Sequence, residues 1–322
     1  MKKSVSDPLS SHGADAALPK DSCSKPSYLS GVDLARVSAS LEKLLSPCMV
    51  CPFECGTDRR TLKSGRCRSG LLPKIASWNL HHGEEPPISG HRGSGTLFFS
   101  WCSLRCFFCQ NYPISQLGNG KEVSSTELAE YMLLLQKRGA HNINFVTPTH
   151  FIPQAVEALR IAVSGGLRIP IVYNSSGYER VETLKLLDGI VDIYLPDMKY
   201  GNNKCARKYS GVGNYVEVNC AAIKEMYRQV GTLQVDEDGI AKRGLIIRHL
   251  VLPGNLENTE EVLRSIAILV PDVPLSLMGQ FFPAHIAHSI PELSRKLNRR
   301  EYEKAVNLLE QLGIMNGWVQ SL

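Results

Sequence analysis

From Thr96 onward, short runs of β-branched and aromatic residues alternate with longer segments of helical periodicity. The predicted strands are 96–100, 143–147, 169–174, 191–195, 245–252 and 273–278. Helical segments follow them near 124–138, 152–164, 179–187, 214–229, 258–269 and 299–312. Strands that alternate with helices form right-handed βαβ units and a parallel sheet. The pattern therefore predicts an α/β fold, a partial (β/α)6 TIM-like barrel, with a doubly wound sheet as the alternative.

The segment before this barrel divides into smaller parts. Residues 1–27 contain Ser, Pro and Gly without an apolar run, which predicts a disordered tail. Residues 33–46 show helical spacing, a cysteine-rich segment covers 48–67, and 71–95 has the punctuation of an irregular connection. We therefore expect a tail at 1–27, an N-terminal helix and cysteine-rich metal module with its connection at 28–95, and a core barrel at 96–322.

Charge and hydropathy exclude several kinds of partner. The formal net charge is +5 and the basic residues are scattered, so no basic stripe indicates nucleic acid binding. No apolar run approaches the roughly 20 residues of a membrane span, and we expect no membrane association. The N-terminus lacks an export signal, which predicts a cytoplasmic, reducing environment. In that environment the position of seven of the 10 cysteines in two tight clusters favours metal binding over disulfides.

Polar residues collect where the predicted strands end. They are Thr147 and His150 after the second strand, Asn174, Ser175 and Ser176 after the third, Asp197 and Lys199 after the fourth, Arg248 and His249 in the fifth, and Gln280 after the sixth. The carboxyl ends of parallel strands carry the active site in barrel folds. Any one of these residues is an ordinary loop residue, but together they predict one wide site across the barrel mouth.

Three cysteines follow the first predicted strand on one short loop. Cys102, Cys106 and Cys109 are separated by three and then two residues. Soft thiolates bind iron–sulfur clusters, zinc or Cu(I). A [4Fe–4S] cluster needs four iron ligands, so three local thiolates leave one iron for another ligand. A zinc site with a remote fourth ligand is the alternative.

The spacing of the triplet and the aromatic Phe108 before its third cysteine resemble the radical S-adenosylmethionine (SAM) superfamily. From about Cys48 onward, the chain is similar to the uncharacterised branch related to pyruvate formate-lyase activating enzymes, in the segments GSGTLFFSWCSLRCFFCQNYPIS, GAHNINFVTPTHFIPQAVEAL, IVYNSSGY, VDIYLPDMKY and RHLVLPG. The resemblance implies an oxidoreductase or activase in which Cys102, Cys106 and Cys109 hold a [4Fe–4S] cluster and SAM binds the fourth iron. It also implies reductive cleavage of SAM to a 5′-deoxyadenosyl radical, which abstracts hydrogen from an unknown substrate, with a protein as one candidate.

The same resemblance implies roles for the strand ends. The backbone near Phe108 lies against adenine, and Asn174, Ser175 and Ser176 face the ribose or methionine part of SAM. Asp197 and Lys199 match an Asp-x-Lys pattern whose lysine pairs with the SAM carboxylate. Successive strand residues alternate between faces, so at most one of Arg248 and His249 faces SAM.

One departure from the family pattern concerns the second strand. The activating enzymes carry Gly-Gly-Glu after it, whereas this chain reads TPTH at 147–150, so the usual acidic contact to the SAM amino group is missing. Thr147, His150 and Gln280 are predicted to contact the cofactor by position. An electron donor such as flavodoxin or ferredoxin is the expected partner.

A second group of cysteines precedes the barrel. Cys48, Cys51, Cys55 and Cys67 supply four thiols within twenty residues, which predicts a second metal, either structural zinc or an iron–sulfur cluster. Cys23, Cys205 and Cys220 are isolated and are interpreted as incidental. Two other functions stay open on this evidence: an electron-transfer protein with two iron–sulfur clusters, and a zinc-stabilised binding module.

Overall fold

The computed structural model describes residues 25–61 and 65–320. The strands are β1 Lys74–His81, β2 Ser94–Phe99, β3 Lys121–Glu122, β4 Ile143–Val146, β5 Ile171–Ser175, β6 Ile193–Pro196, β7 Gln234–Val235, β8 Ala241–Leu245, β9 Ile247–Leu250, β10 Leu275–Met278 and β11 Gly317–Val319. The helices are α1 Leu34–Lys43, α2 Pro86–Ser89, α3 Tyr112–Ser115, α4 Ser125–Lys137, α5 Ile152–Ser164, α6 Val181–Lys185, α7 Asn203–Ser210, α8 Tyr215–Val230, α9 Leu256–Leu269 and α10 Arg299–Gln311. Short 3-10 helices cover Ser27–Leu29, Thr149–Phe151, His285–Ser289 and Pro291–Leu293.

The strands form two sheets, and the edge strand β9 of the smaller sheet adjoins the end of β6 in the larger one. One sheet has the order β3-β1-β2-β4-β5-β6-β8-β7, and the other has the order β11-β10-β9. Strands β2, β4, β5, β6 and β8 are parallel, as are β9, β10 and β11. The sheets join where the Met198 amide donates to the Arg248 carbonyl at 2.8 Å and the Ile246 amide donates to the Tyr194 carbonyl at 3.0 Å. The mostly parallel α/β architecture predicted from the sequence is therefore confirmed.

Helices pack side by side along the strand series. Helix α5 lies between α1 and α4, α8 packs on α6, and α10 packs on α9. Strand residues such as Leu97, Phe145, Tyr173 and Tyr194 are buried. Because the helices follow parallel strands, the carboxyl ends of those strands lie at one common edge.

The helix boundaries have local causes in the sequence. The Ser124 hydroxyl and Glu127 carboxylate form a reciprocal cap at the start of α4, and Asn298 and Glu301 do the same for α10. Helix α7 ends at Gly211, which adopts the left-handed conformation that favours glycine. No helix among the described residues is long and apolar enough to cross a membrane.

Three parts of the chain differ from the sequence prediction. The supposed irregular connection at 71–95 contains β1, which pairs antiparallel with β2. The single predicted strand at 245–252 is two strands, β8 and β9, interrupted at Ile246. Residues 1–24 of the predicted disordered tail, with Cys23, lie outside the described residues, whereas Ser27 begins a 3-10 helix.

Candidate active site

A cavity of about 340 Å³ opens at the carboxyl ends of the parallel strands. Cys102, Cys106 and Cys109 line it. So do most of the polar residues predicted from the strand ends: Thr147, Asn174, Ser175, Ser176, Asp197, Lys199, Arg248 and Gln280. The structure therefore brings residues from all six predicted strand ends to one place, the cysteine triplet after the first strand and polar residues from the other five.

The loop that carries the three cysteines is held by backbone hydrogen bonds. The Ser100 amide donates to the Lys74 carbonyl of β1 at 2.8 Å, and the Phe107 amide donates to the Tyr209 carbonyl of α7 at 2.8 Å. The Cys109 amide donates to the Cys106 carbonyl at 3.2 Å, which forms a tight turn between the last two cysteines. The Ser115 hydroxyl donates to the Cys109 sulfur at 3.1 Å. The thiols are thus presented from a fixed loop.

The chemistry of this donor set suits a soft metal. Burial, followed by the nearby Cys106, raises the pKa of the Cys102 thiol to about 12, and the same two causes raise the pKa of Cys109. Among the described residues, no group of three or more His, Cys, Asp or Glu side chains is arranged closely enough to hold a metal ion as it stands. Three thiols at one cavity nevertheless match the ligands that iron–sulfur clusters take.

Charged residues of both signs line the cavity beside the thiols. The Lys199 ammonium lies 2.5 Å from one carboxylate oxygen of Asp197, and the Arg248 guanidinium lies 3.0 Å from the other. Arg248 also donates to the Asn174 side-chain carbonyl at 2.5 Å. Burial alone would raise the pKa of Asp197, but Arg248 and Lys199 outweigh it and hold this pKa below its usual range.

A further carboxylate enters the cavity from an element that the sequence prediction missed. Glu84 follows β1, and its carboxylate lies 3.6 Å from the Arg248 guanidinium and 3.2 Å from the His81 imidazole. His81 and Glu84 both line the cavity. The sequence signal for this carboxylate is the pair of adjacent glutamates at 84 and 85, which follows the residues of β1.

Two residues predicted to contact the cofactor do not line this cavity. The Phe108 side chain is buried among aromatic rings, with its centroid 6.1 Å from that of Phe281 and 6.5 Å from that of Tyr200. His150 lies in the 3-10 turn after β4, and its Nε2 is 2.8 Å from the Ser100 carbonyl. His249 is also buried, between the Met198 carbonyl and the Thr259 hydroxyl, as a core histidine would be.

The four N-terminal cysteines occupy a small module beside the barrel. Cys48, Cys51 and Cys67 are buried and Cys55 is exposed. The Cys48 amide donates to the Thr57 carbonyl at 2.9 Å, the Gly56 amide donates to the Cys48 carbonyl at 3.1 Å, and a side-chain hydrogen bond joins Cys48 and Cys55. The structure thus brings Cys48 and Cys55 together as a pair, and the second metal stays a prediction.

The module is attached directly to the loop of the cysteine triplet. The Arg66 guanidinium donates to the Ser103 carbonyl at 2.9 Å and to the Ser210 carbonyl at 2.7 Å. In return, Arg105 donates to the Arg66 carbonyl at 3.2 Å. The residue before Cys67 is therefore bonded to the segment between Cys102 and Cys106.

Comparison with known proteins gives one family match and one long relative. The sequence model of the Radical SAM superfamily matches residues 96–266. A protein of Methanocaldococcus jannaschii with uncharacterized function is 33% identical over 284 residues, which cover 85% of this chain and 77% of that protein.

Similar solved structures include three proteins of low sequence identity. Methylornithine synthase is 17% identical over 72% of this chain and 66% of its own, with a TM-score of 0.48. A domain of the pyruvate-formate lyase-activating enzyme from Bacteroides vulgatus is 15% identical over 51% of this chain and 87% of its own, with a TM-score of 0.36. Streptococcus suis SuiB is 14% identical over 69% of this chain and 47% of its own, with a TM-score of 0.47.

Proposed function

Since this chain belongs to the radical SAM superfamily, we propose that it uses a [4Fe–4S] cluster to cleave SAM reductively and to abstract hydrogen from a substrate. The observation that carries the proposal is that Cys102, Cys106 and Cys109 line the same cavity as Asp197, Lys199 and Arg248. When bound, the cluster supplies the single electron that this cleavage consumes.

The charged residues of the cavity match the amino acid part of SAM, which carries one carboxylate and one ammonium group. Lys199 and Arg248 are the cations that would pair with the carboxylate. Asp197 and Glu84 are the acids that would pair with the ammonium group. Asn174 accepts a hydrogen bond from Arg248 and so orients its guanidinium. These residues bind and position the cofactor beside the thiols.

Apolar side chains in the same cavity keep water away from the reacting atoms. Phe98, Phe99, Ile114 and Val146 contribute to its lining. Phe99 ends β2 immediately before the cysteine loop, and its buried ring packs against those of Phe145 and Phe151. Exclusion of water strengthens the charge interactions that orient the cofactor and protects reactive species from side reactions.

The proposal extends to a second metal and to two partners. Cys48, Cys51, Cys55 and Cys67 would hold zinc or an iron–sulfur cluster, because the spacing of the four thiols suits both. An electron donor such as flavodoxin or ferredoxin would reduce the triplet's cluster. A protein is one candidate for the substrate. A glycyl-radical partner is not part of the proposal, since the Gly-Gly-Glu segment of the activating enzymes is absent.

The test is cofactor cleavage by the anaerobically reconstituted chain. It should be brown, contain iron, and release 5′-deoxyadenosine when reduced in the presence of SAM. Replacement of Cys102, Cys106 and Cys109 by alanine should abolish this release, whereas Cys220→Ala should leave it intact. An iron-containing chain that never cleaves SAM would instead be an electron-transfer protein, and a colourless zinc-containing chain would be a binding module.

A further inference from the structure

A second and larger cavity lies on the other side of the cysteine loop. Its volume is about 760 Å³, and it opens between residues 65–68 of the four-cysteine module and residues 101–107 of the triplet's loop. Gly211 and the segment 285–286 complete its walls. Trp101, Arg105 and Phe107 of the cysteine loop line this cavity, whereas its three cysteines line the candidate active site, so the loop lies between the two cavities.

The polar lining of this second cavity is basic. Arg66, Arg68 and Arg105 line it together with His285, and no aspartate or glutamate among the described residues does so. Arg66 and Arg105 use part of their donors on backbone carbonyls and on Gln116. Arg68 lies over the Trp101 ring at 5.7 Å from its centroid, and within the described residues it makes no ion pair. Three guanidinium groups without a carboxylate attract an anion.

Backbone strain is concentrated at the same cavity. Six residues other than glycine have positive φ in the described parts of the chain, and four of them line this cavity: Arg68, Trp101, Arg105 and His285. Residues held in this region cluster at ligand sites, where the surrounding structure enforces a particular side-chain direction. The residues with this backbone conformation are the basic and aromatic residues of the lining, which indicates a preformed ligand site.

The aromatic wall is fixed by close packing. The Trp101 ring lies directly against Gly118, where an added Cβ would be 2.2 Å from a ring carbon. The His285 ring stacks on Tyr112 with centroids 5.2 Å apart, and the Ile286 amide donates to the Phe107 carbonyl at 3.0 Å. The cavity thus has planar and apolar walls in fixed places beside its guanidinium groups.

We propose that this cavity binds a mononucleotide, a phosphate monoester that carries a planar heteroaromatic base. Guanidinium forks match phosphate oxygens in pairs, and their planar faces stack on aromatic rings. A volume of about 760 Å³ lies within the range of small-molecule sites and exceeds what a bare phosphate fills. This site is separate from the candidate active site, and only the use of SAM to fill that first cavity in the test rests on the proposed function.

The experiment is calorimetric titration of the reconstituted chain with AMP and with adenosine, in the presence of excess SAM so that the first cavity is occupied. AMP should bind at least tenfold more tightly than adenosine. Arg68→Gln should remove this advantage. Equal affinity for AMP and adenosine, or an unchanged advantage in Arg68→Gln, would overturn the proposal. Inorganic phosphate serves as a further probe, and it should bind more weakly than AMP because it leaves the aromatic wall unused.

Because Arg68 is adjacent to Cys67, a second variant away from both cysteine groups distinguishes a loss of the binding site from a folding defect. Ile286 is exposed at the cavity and lies far from both cysteine groups in sequence, so Ile286→Trp should narrow the cavity and weaken AMP binding at least fivefold. Ile268→Trp, at an exposed isoleucine of α9, is the matched control and should not change AMP binding. Equal AMP affinity of these two variants would count against this cavity as the site.

Discussion

The Glu84 carboxylate lies 3.6 Å from the Arg248 guanidinium, although the two residues are far apart in the sequence. Glu84 follows the antiparallel strand β1, and Arg248 lies in the parallel strand β9. Both side chains are largely buried, so water screens their charges only weakly. An acidic group thus reaches the cavity from outside the parallel strands, in a chain whose TPTH segment offers none after β4.

We expect Glu84→Gln to weaken SAM binding about tenfold while the iron content of the triplet stays unchanged. The substitution keeps the shape of the side chain but removes the negative charge beside Arg248, and a hydrogen bond to a charged group contributes about 1.5–3 kcal/mol. Equilibrium binding of SAM to the reconstituted protein measures the effect.

The control for this variant is Glu303→Gln, which removes an exposed carboxylate that pairs with Arg299 on α10. Its SAM affinity should equal that of the unmodified chain. If Glu84→Gln and Glu303→Gln bind SAM equally well, Glu84 has no part in the cofactor site.

Lys199→Ala and Asn174→Ala should also weaken SAM binding, by about tenfold and severalfold respectively, without loss of iron. The lysine variant removes a cation from the cavity, and Arg248 is then the remaining ion-pair partner of Asp197 among the described residues. The asparagine variant removes an acceptor that orients Arg248. Lys121→Ala, at an exposed lysine, is the matched control. Unchanged SAM affinity in both variants would exclude these residues from the site.

Most of the cavity was predictable because strand ends in a parallel sheet share one edge. The order of strands in the sequence predicts this position for Asn174, Asp197, Lys199 and Arg248. The register of β5, β6 and β9 brings these residues together. His150 shows the limit of this reasoning. It follows a strand as predicted, but the 3-10 turn at Thr149–Phe151 directs its ring to the Ser100 carbonyl.

The residues of strand β1, which precedes Glu84, show no clear hydrophobic period in the sequence. A register shift between Ile75 and Ser77 interrupts its pairing with β2, so apolar residues do not alternate regularly along it. Much of the strand is also only half-buried, which weakens the hydrophobic pattern further. The position of Glu84 at the cavity can therefore be inferred only when the pairing of β1 with β2 is known.

Acid should destabilise the fold through its buried neutral histidines. Burial lowers the pKa of His249 to about 4, whereas an unfolded histidine titrates near 6.5. The unfolded chain therefore binds the proton first as the pH falls, and the stability that neutral His249 contributes is present above about 6.5 and is lost towards about 4. Between pH 7 and pH 5 this group alone should lower the free energy of unfolding by about 2 kcal/mol.

Urea unfolding of His249→Gln at pH 7 and pH 5 measures this contribution. The variant should be less stable than the unmodified chain at pH 7, because two buried hydrogen bonds are disturbed, but its stability should fall less between the two pH values. His288→Gln, at an exposed histidine, should keep the full pH dependence. An identical fall in His249→Gln and the unmodified chain would show that His249 is not the titrating group.

Metal analysis decides what the four N-terminal cysteines hold. The segment around Cys48, Cys51, Cys55 and Cys67 has little apolar surface of its own to offset the entropy of ordering it, so we expect a metal to stabilise its fold. Iron for one cluster with stoichiometric zinc would identify a structural zinc site, and iron for two clusters would identify an auxiliary cluster. Replacement of all four cysteines by alanine should remove the zinc in the first case and roughly half of the iron in the second.

Because Arg66 binds this module to the loop between Cys102 and Cys106, replacement of the four cysteines should also slow SAM cleavage without abolishing SAM binding. Cys205→Ala is the control and should keep the full metal content. A quadruple variant with unchanged metal content and unchanged melting temperature would show that these four thiols bind no metal.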